Sequence, residues 1–357
     1  MKRTFTSSVA GPRARGREFG LAHAAEIGRT IASYRALFAR TAGHDLDLDG
    51  PGAEALAAIR GWAPDLAEEI EGIAEGAGLP VEQVAAINAR TEILATLTPA
   101  AKGECSAVVL LADDGSAPVA VQTWDWYSGM APNWLVWTIP HGDGRVTRTV
   151  TEYGVVGKIG ANGAGIGVLF TILHHERDGR GIGVPVHVVA RRVLDDAADI
   201  NDALTMIASA AVSASTSLTV VASSDDGSAA ITAELHPGGP AWVRPDADGV
   251  LIHTNHFLTQ PAALGDTEPR AFPDTLVRYD ILQRGLRRRT AGPAAAKPAT
   301  EQALAVMANH LGGGGAVCCH PDPRASDRDA EYATLATVVL DTATGGVTAI
   351  PGGPCTR

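Results

Sequence analysis

A lone cysteine, Cys105, marks the place where the chain changes character. Before it, apolar residues such as Ile70, Ile73 and Ala74 recur at helical spacing, and after it the run 107–111 is typical of a β-strand. A cysteine that becomes the first residue of a chain carries both a thiol and a free α-amine. That amine, with a usual pKa of about 7.7–8.0, can act as the base that activates the thiol. The junction is where a self-cleaving precursor would place its nucleophile, although an isolated cysteine is more often a buried core residue.

Asp125 is the first candidate partner of this cysteine. An Asp-Asp-Gly-Ser segment at 113–116 separates two β-like runs and predicts a hairpin turn. Antiparallel pairing across it brings Cys105 opposite Thr123 or Trp124, depending on the register. Asp125 then lies beside or diagonal to the cysteine, where its carboxylate could hold the α-ammonium group or orient the thiol. The alternative is that Asp125 only forms a turn at the end of its strand.

The elements that must position these residues come in blocks. The pattern from Glu18 to about Thr98 is mainly helical, and the region after Cys105 alternates short β-rich runs with glycine-bearing turns. Four helical patterns occur among and after these strands, at 184–194, 200–211, 272–286 and 300–310, and two strands close the chain, at 333–341 and 346–351. Many strands with helices in blocks predict an α+β fold, a four-layer α/β/β/α sandwich with two sheets inside.

Composition excludes several classes of function. The chain has 357 residues, of which 45% are apolar, and this is enough to form one large buried core. The net charge of −11 argues against nucleic acid or an anionic membrane surface as the main partner. No stretch approaches a membrane span, and residues 1–20 lack the apolar core of a secretory signal. The four cysteines give no disulfide framework, so we expect a cytoplasmic protein.

Six motifs occur in order along the chain. They are Asn-Ala-Arg-Thr-Glu-Ile at 88–93, the Cys105 junction, Gln-Thr-Trp-Asp-Trp at 122–126, Lys-Ile-Gly-Ala-Asn-Gly-Ala-Gly at 158–165, His-Thr-Asn-His-Phe at 253–257 and Cys-His-Pro-Asp at 319–322. On these motifs, over roughly Gly16 to Pro354, the chain resembles the isopenicillin N acyltransferase family, the C45 group of N-terminal-nucleophile hydrolases. The resemblance implies the four-layer fold of that superfamily in a single domain.

The resemblance also implies that the bond between Glu104 and Cys105 is cut autocatalytically. Residues 1–104 would form a helical pro-region or α chain and residues 105–357 a catalytic β chain, and the two fragments would stay associated. Cys105 would be the nucleophile, Asp125 the aspartate near the thiol, and Asn255 the donor to the oxyanion. An amide N–H aimed at a developing negative oxygen is worth about 10²–10³ in rate. The alternative for Asn255 is a turn cap.

Candidates for the substrate pocket surround these residues. They are Trp124, Trp126, Tyr127, Arg90 and His256. The tryptophans could line an acyl pocket or pack in the sheet core, and Arg90 could attach its helix to the wall of the site. Related bile-salt and penicillin V hydrolases carry an arginine shortly before the aspartate, where this chain has Gln122 and Thr123. The substrate therefore stays open.

Together these features predict a self-processing cysteine amidohydrolase or acyltransferase that acts on a small-molecule amide or acyl thioester through an acyl-Cys105 intermediate. An amine-dependent N-acyltransferase using acyl-CoA is one alternative, and an unprocessed, non-catalytic binding protein with the same fold is another. No cofactor, nucleic acid or membrane partner is expected. No metal is expected either, because neither His174-His175 nor Cys318-Cys319-His320 has a second ligand pair at a recognised zinc spacing.

Overall fold

The fold is built from two β-sheets and the helices that cover them. The computed structural model describes residues 3–98, 105–112, 116–260, 262–290, 297–324 and 331–356. Within these ranges, no helix is both long and apolar enough to cross a membrane. Glu104, one side of the expected cleavage point, and most of the expected turn at 113–116 lie outside the described residues.

Five helices make up the N-terminal part: α1 (Pro12–Ala42), α2 (Asp49–Trp62), α3 (Pro64–Ala77), α4 (Val81–Asn88) and α5 (Arg90–Leu97). Pro12 and Pro64 stand in the first turns of α1 and α3, where the missing N–H has no helical partner to lose. Gly43 and Gly78 end the same helices in the left-handed conformation, with φ of 76° and 67°. The helical character expected up to about Thr98 is confirmed.

Helices α1 and α3 pack through four glycines, Gly16 and Gly20 on α1 and Gly72 and Gly76 on α3. A Cβ atom at any of them would lie 2.0–2.3 Å from a backbone oxygen of the other helix. No side chain fits such a gap, so glycine allows the two helix backbones to touch.

The strands form two sheets. They are β1 (Thr4–Thr6), β2 (Ser106–Leu110), β3 (Val119–Tyr127), β4 (Trp134–Pro140), β5 (Val146–Glu152), β6 (Ile159–Asn162), β7 (Ile166–Ile172), β8 (Thr216–Ser224), β9 (Gly227–His236), β10 (Gly239–Val243), β11 (Val250–His253), β12 (Tyr332–Asp341) and β13 (Gly346–Pro351). One sheet has eight strands in the order β1-β4-β5-β6-β7-β8-β9-β10, and the other has five in the order β11-β2-β3-β12-β13. Strand β1 pairs in parallel with β4, and the other neighbours pair antiparallel.

The remaining helices complete the layers. They are α6 (Val186–Asp196), α7 (Ile200–Ser209), α8 (Glu268–Ala271), α9 (Asp274–Thr290) and α10 (Ala299–Met307). Helices α6 and α7 cover the eight-stranded sheet, α9 and α10 cover the five-stranded sheet, and β2 and β3 contact β7 across the interface between the sheets. The predicted four-layer α/β/β/α sandwich is confirmed.

Alternation along β2 decides what faces the inside of the sandwich. Ala107 and Val109 belong to the apolar cluster that extends between the sheets, whereas Val108 packs with residues of α9 and α10. Cys105 belongs to the first cluster, so its side chain lies on the inner side of the sheet.

Candidate active site around Cys105

Cys105 lies directly before β2, an inner strand of the five-stranded sheet. The pairing of Ser106 with Thr123 places Cys105 beside Trp124, which is the second of the two registers that the sequence left open. The cysteine is 5% exposed, and its Sγ donates to the backbone oxygen of Asp125 at 3.6 Å. Burial, with a smaller contribution from the Asp125 carboxylate, raises the pKa of the thiol to about 12. In the continuous chain the thiol is therefore protonated at neutral pH.

Arg278, on α9, joins this cysteine to the expected oxyanion donor. Its side chain is fully buried, and Nη1 donates to the backbone oxygen of Cys105 while Nη2 donates to Oδ1 of Asn255, each at 2.9 Å. Its Nε donates to Oδ2 of Asp274, one helical turn earlier, at 3.3 Å. Because a guanidinium is planar and rigid, its two donors fix Cys105 and Asn255 relative to each other.

Asn255 follows β11 and is fully buried. Its backbone N–H donates to Oγ1 of Thr275 at 2.9 Å, and its Nδ2 donates to the backbone oxygen of Ile172 at 2.8 Å. A side-chain amide has two N–H donors, and the bond to Ile172 uses one of them. Among the described residues the second N–H of Asn255 has no acceptor, and such a donor is the group that an oxyanion would require.

A buried cluster of charged residues lies beside the thiol. Nζ of Lys158 and Nη2 of Arg90 donate to the same Oε2 of Glu152, at 2.7 and 2.8 Å. The hydroxyl of Tyr34 donates to the other oxygen of Glu152 and accepts from Nε of Arg90, which also contacts the ring of His187. With one carboxylate for two cations, this cluster is positive when Lys158 is protonated.

The charge of Lys158 depends on its surroundings. Burial, reinforced by Arg90, lowers the pKa of its ammonium group to about 7, and Nζ lies 3.6 Å from the centre of the Trp124 ring. Burial also lowers the pKa of His187 well below its usual value, so that ring is neutral. The positive charges of Lys158 and Arg278 act against burial and lower the pKa of the Cys105 thiol. Lys158 and Arg278 are therefore the two cations placed to stabilise a thiolate at Cys105.

A small cavity opens onto the thiol. It is lined by Arg90, Cys105, Trp124, Asp125, Trp126, Lys158, Phe170 and Ile172. Its volume is about 10 Å³, which is roughly what a single water molecule needs. A second cavity of about 20 Å³ shares Trp126 and Ile172 and reaches α5 through Thr91 and Leu94. In the continuous chain, neither cavity has room for a substrate.

Five of the residues singled out from the sequence line the first cavity, namely Arg90, Cys105, Trp124, Asp125 and Trp126. Tyr127 lies outside its lining, and its ring packs at a tilt against that of Tyr332, with ring centres 4.5 Å apart. His256 also lies outside, with Nδ1 bonded to Oγ1 of Thr275 at 3.0 Å. Burial lowers the pKa of His256 to about 4, so its ring is neutral at physiological pH.

Sequence reasoning missed two residues of the site. Lys158 occurs in a quoted motif, but nothing in that motif indicated that its ammonium group would reach the cysteine. Arg278 lies on a helix predicted only from its periodicity, and Asp274 four residues earlier was the one local signal of an ordered side chain. Gln122, in place of the expected arginine, accepts from the backbone N–H of Phe170 at 2.8 Å and so ties β3 to β7.

Comparisons with known proteins identify the family. A family model described as acyl-coenzyme A:6-aminopenicillanic acid acyl-transferase matches residues 111–311. This range is more than half of the chain, and the chain belongs to that family, as the six motifs predicted. The matched range begins after Cys105, so it does not itself include the expected nucleophile.

The individual proteins that resemble this chain share less than a third of its residues over the aligned range. The 40 kDa form of acyl-coenzyme A:6-aminopenicillanic-acid-acyltransferase from Emericella nidulans is 29% identical over 222 residues, which span 62% of this chain and 59% of that relative. Penicillin V acylase from Agrobacterium tumefaciens is 18% identical over 69% of this chain and 86% of its own, with a TM-score of 0.44. A mutant of conjugated bile acid hydrolase from Clostridium perfringens is 11% identical over 69% and 92%, with a TM-score of 0.47.

Proposed function

We propose that this protein is a self-processing cysteine N-terminal-nucleophile enzyme, an amidohydrolase or acyltransferase that works through an acyl-Cys105 intermediate. The observation that carries the proposal is the bridge made by Arg278. One buried guanidinium binds the backbone of Cys105, at the mouth of a cavity, and the side chain of Asn255. A cysteine that only fills the core has no need of a hydrogen-bonded bridge to the side-chain amide of a residue far away in sequence.

Processing is the first step of the proposal. The Sγ atom of Cys105 attacks the carbonyl carbon of residue 104, the C–N bond breaks, and the thiol proton passes to the departing nitrogen. Water then hydrolyses the thioester, which leaves a carboxylate at residue 104 and a free amine and thiol on Cys105. Because Arg278 holds the carbonyl of Cys105 rather than its nitrogen, this anchor survives the cleavage. Residues 1–104 and 105–357 are then the two chains of one domain.

Catalysis follows from the new terminus. The α-amine of Cys105 accepts the thiol proton, and the thiolate attacks the carbonyl carbon of an amide or thioester. The oxyanion receives a hydrogen bond from the second N–H of Asn255, and Asp125 orients the α-amine. Loss of the amine or thiol leaving group gives acyl-Cys105, which water or a second amine resolves.

The acyl enzyme can pass its acyl group to water or to an amine, and these two reactions distinguish an amidohydrolase from an acyltransferase. The relative from Emericella nidulans is named as an acyltransferase that uses acyl-coenzyme A, which supports acyl-CoA as donor and an amine as acceptor. We favour hydrolysis, because this chain has Thr171 and Ser217, hydrogen-bonded to each other at 2.6 Å, where acyltransferase relatives often carry asparagine. An unprocessed binding protein with the same fold is the third candidate.

Intact mass tests processing directly. The wild type should separate under denaturing conditions into fragments 1–104 and 105–357, and sequencing of the second should begin at Cys105. Cys105→Ala should remain one species of 36.8 kDa. Cys319→Ser is the matched control, because Cys319 is also buried and its Sγ donates to the backbone oxygens of Gly314 and Tyr332. It should process normally.

Two results would end the proposal. One is efficient cleavage of Cys105→Ala at the same bond, since the thiol would then not be the nucleophile. The other is a wild type that stays in one piece and forms no acyl adduct with any thioester or amide donor, which would favour the binding protein.

A further inference from the structure

A second group of reactive side chains lies away from the thiol of Cys105. The ligand atoms of His310, Cys318, His320 and Cys355 all lie within 4.8 Å of one another. The Nε2 atom of His320 is 3.6 Å from Sγ of Cys318, 3.3 Å from Sγ of Cys355 and 3.2 Å from Nε2 of His310. The two sulfur atoms are 3.4 Å apart. Two imidazoles and two thiols therefore point at one place.

Three segments bring these residues together. His310 follows α10, and Cys318 and His320 follow the glycine-rich stretch 312–315. Cys355 follows β13, which pairs antiparallel with β12 and so returns the end of the chain to this loop. Gly353 lies so close that a Cβ there would be 2.3 Å from Sγ of Cys318. The sequence separation of Cys355 from the other three explains why no zinc spacing was visible.

We propose that these four side chains bind one zinc ion. For tetrahedral zinc with Zn–S of about 2.3 Å and Zn–N of about 2.0–2.1 Å, the ligand atoms should be about 3.3–3.8 Å apart. The four separations given above run from 3.2 to 3.6 Å. Two thiols and two imidazoles are also one of the donor sets that zinc uses in structural sites.

The number of protons available for hydrogen bonds within the cluster also favours a bound zinc ion. A neutral imidazole carries one proton, so Nε2 of His320 cannot satisfy two sulfurs and a second imidazole nitrogen together. A zinc ion at the centre satisfies all four ligands at once. Binding releases the two thiol protons, and two thiolates then balance the charge of Zn²⁺. The cluster borders an open cleft of about 770 Å³, so an ion can reach it.

Four protein ligands leave no open position, which makes this a structural rather than a catalytic zinc site. Cys319, next to a ligand, donates its N–H to Oγ1 of Thr334 and accepts from the N–H of Thr334, each at 3.0 Å. Thr334 in turn pairs with Asp125 across β12 and β3. The zinc therefore fastens the glycine-rich loop and the end of the chain to the strand beside Asp125.

Metal content is the direct test. Protein purified in reduced form, without a histidine tag and without chelators, should contain about one zinc per chain by mass spectrometry of the elements. Cobalt(II) added to metal-free protein should give the thiolate charge-transfer and visible ligand-field absorption of a tetrahedral site. Zinc should displace the cobalt and raise the thermal midpoint.

Variants locate the site. Cys355→Ser and His310→Ala replace exposed ligands, and each should lower zinc affinity at least about tenfold and alter the cobalt spectrum. Cys319→Ser is the matched control, and it should bind one zinc with unchanged affinity. Cys105→Ala should also keep the metal, which separates this site from the candidate nucleophile. Circular dichroism verifies that each variant is folded.

Three results would overturn the proposal. The first is reduced, folded wild type that binds neither zinc nor cobalt at micromolar concentrations. The second is folded Cys355→Ser that retains one zinc with wild-type affinity. The third is a disulfide between Cys318 and Cys355 in protein isolated under non-oxidising conditions, detected as a linked peptide with a mass lower by two hydrogens.

Discussion

Two buried cations lie beside the candidate nucleophile, one holding it in place and the other favouring its ionised form. Arg278 fixes the position of Cys105 and Asn255, and Lys158 supplies charge beside the thiol. In the continuous chain, burial outweighs the effect of these positive charges and raises the pKa of the thiol to about 12. We infer that the protonated thiol of the precursor attacks only the neighbouring carbonyl of residue 104, and that it reacts with substrate once cleavage has freed the adjacent amine.

Asn255 can be tested by separating its two roles. Asn255→Asp keeps an oxygen that accepts from Arg278 but has no N–H for an oxyanion. Formation of the acyl enzyme should fall by about 10²–10³, measured as the burst with a chromogenic thioester or amide. The thermal midpoint should fall less than in Asn255→Leu, which removes both groups. A variant that acylates at the wild-type rate but melts early would assign Asn255 to structure alone.

Lys158 can be tested by its effect on thiol ionisation. Lys158→Met removes a cation beside Cys105, so the pKa of the thiol in the processed enzyme should rise by about one unit. Alkylation of Cys105 at neutral pH should then slow about tenfold, and its pH profile should shift upward. Lys158→Arg should retain most of the effect. Arg148→Met, a control on the neighbouring strand β5, should leave the profile in place, and an unshifted profile in Lys158→Met would remove Lys158 from the mechanism.

At the scale of the elements, α5 connects the expected pro-region to the rest of the molecule. Oε1 of Glu92, on α5, accepts from the backbone N–H of Val186 at the first turn of α6, at 2.8 Å. Arg90, on the same helix, reaches Glu152 at the end of β5. After the proposed cleavage, these buried contacts would keep fragment 1–104 bound to the rest of the protein.

Glu92 predicts how stability depends on pH. Burial raises the pKa of its carboxyl from 4.5 to about 7, so between these values the folded chain binds this proton more tightly than the unfolded chain. The stability that this group contributes is present below about pH 4.5 and is lost as the pH rises through about 7. Glu92→Gln cannot ionise, and at pH 8 it should be more stable than its parent by about 1–3 kcal/mol.

Urea unfolding at pH 4.5 and pH 8, in the uncleaved Cys105→Ala background, measures this effect. The advantage of Glu92→Gln should be small at the lower pH. Glu301→Gln, at an exposed carboxyl, is the control and should show no such difference. An advantage of equal size at both pH values would mean that ionisation of Glu92 is not its cause.

At the scale of the whole molecule, the proposed acyl-Cys105 intermediate has two possible acceptors, water and an amine. Acyl-Cys105 would meet water at about 55 M, whereas a bound and positioned amine can reach an effective molarity of about 10⁵ M or more. A hydrolase without an amine pocket should therefore give free acid even with millimolar amine present. Product masses from acyl thioesters and amides, with and without a panel of amines, distinguish the cases. Saturable formation of a new amide would overturn our preference for hydrolysis.

The layer order and the place of Cys105 could be predicted from the sequence because both depend on local patterns. Periodicities of 3.6 and 2 separate helices from strands, and a hairpin joins neighbouring strands, so Asp125 had to lie near Cys105 once β2 and β3 paired. Strand β1, with three residues, was too short to give such a signal. The motifs added the family and Asn255.

Contacts between distant segments were decided only by the tertiary structure. The sequence contains Arg278 and Lys158 without any sign that they meet at Cys105, and it contains Cys355 without any sign that it joins His310, Cys318 and His320. The directions of these side chains depend on how two sheets stack and how α9 and the C-terminal segment pack against them. Periodicity fixes the face on which a residue lies, and only the packing of the layers fixes what that face meets.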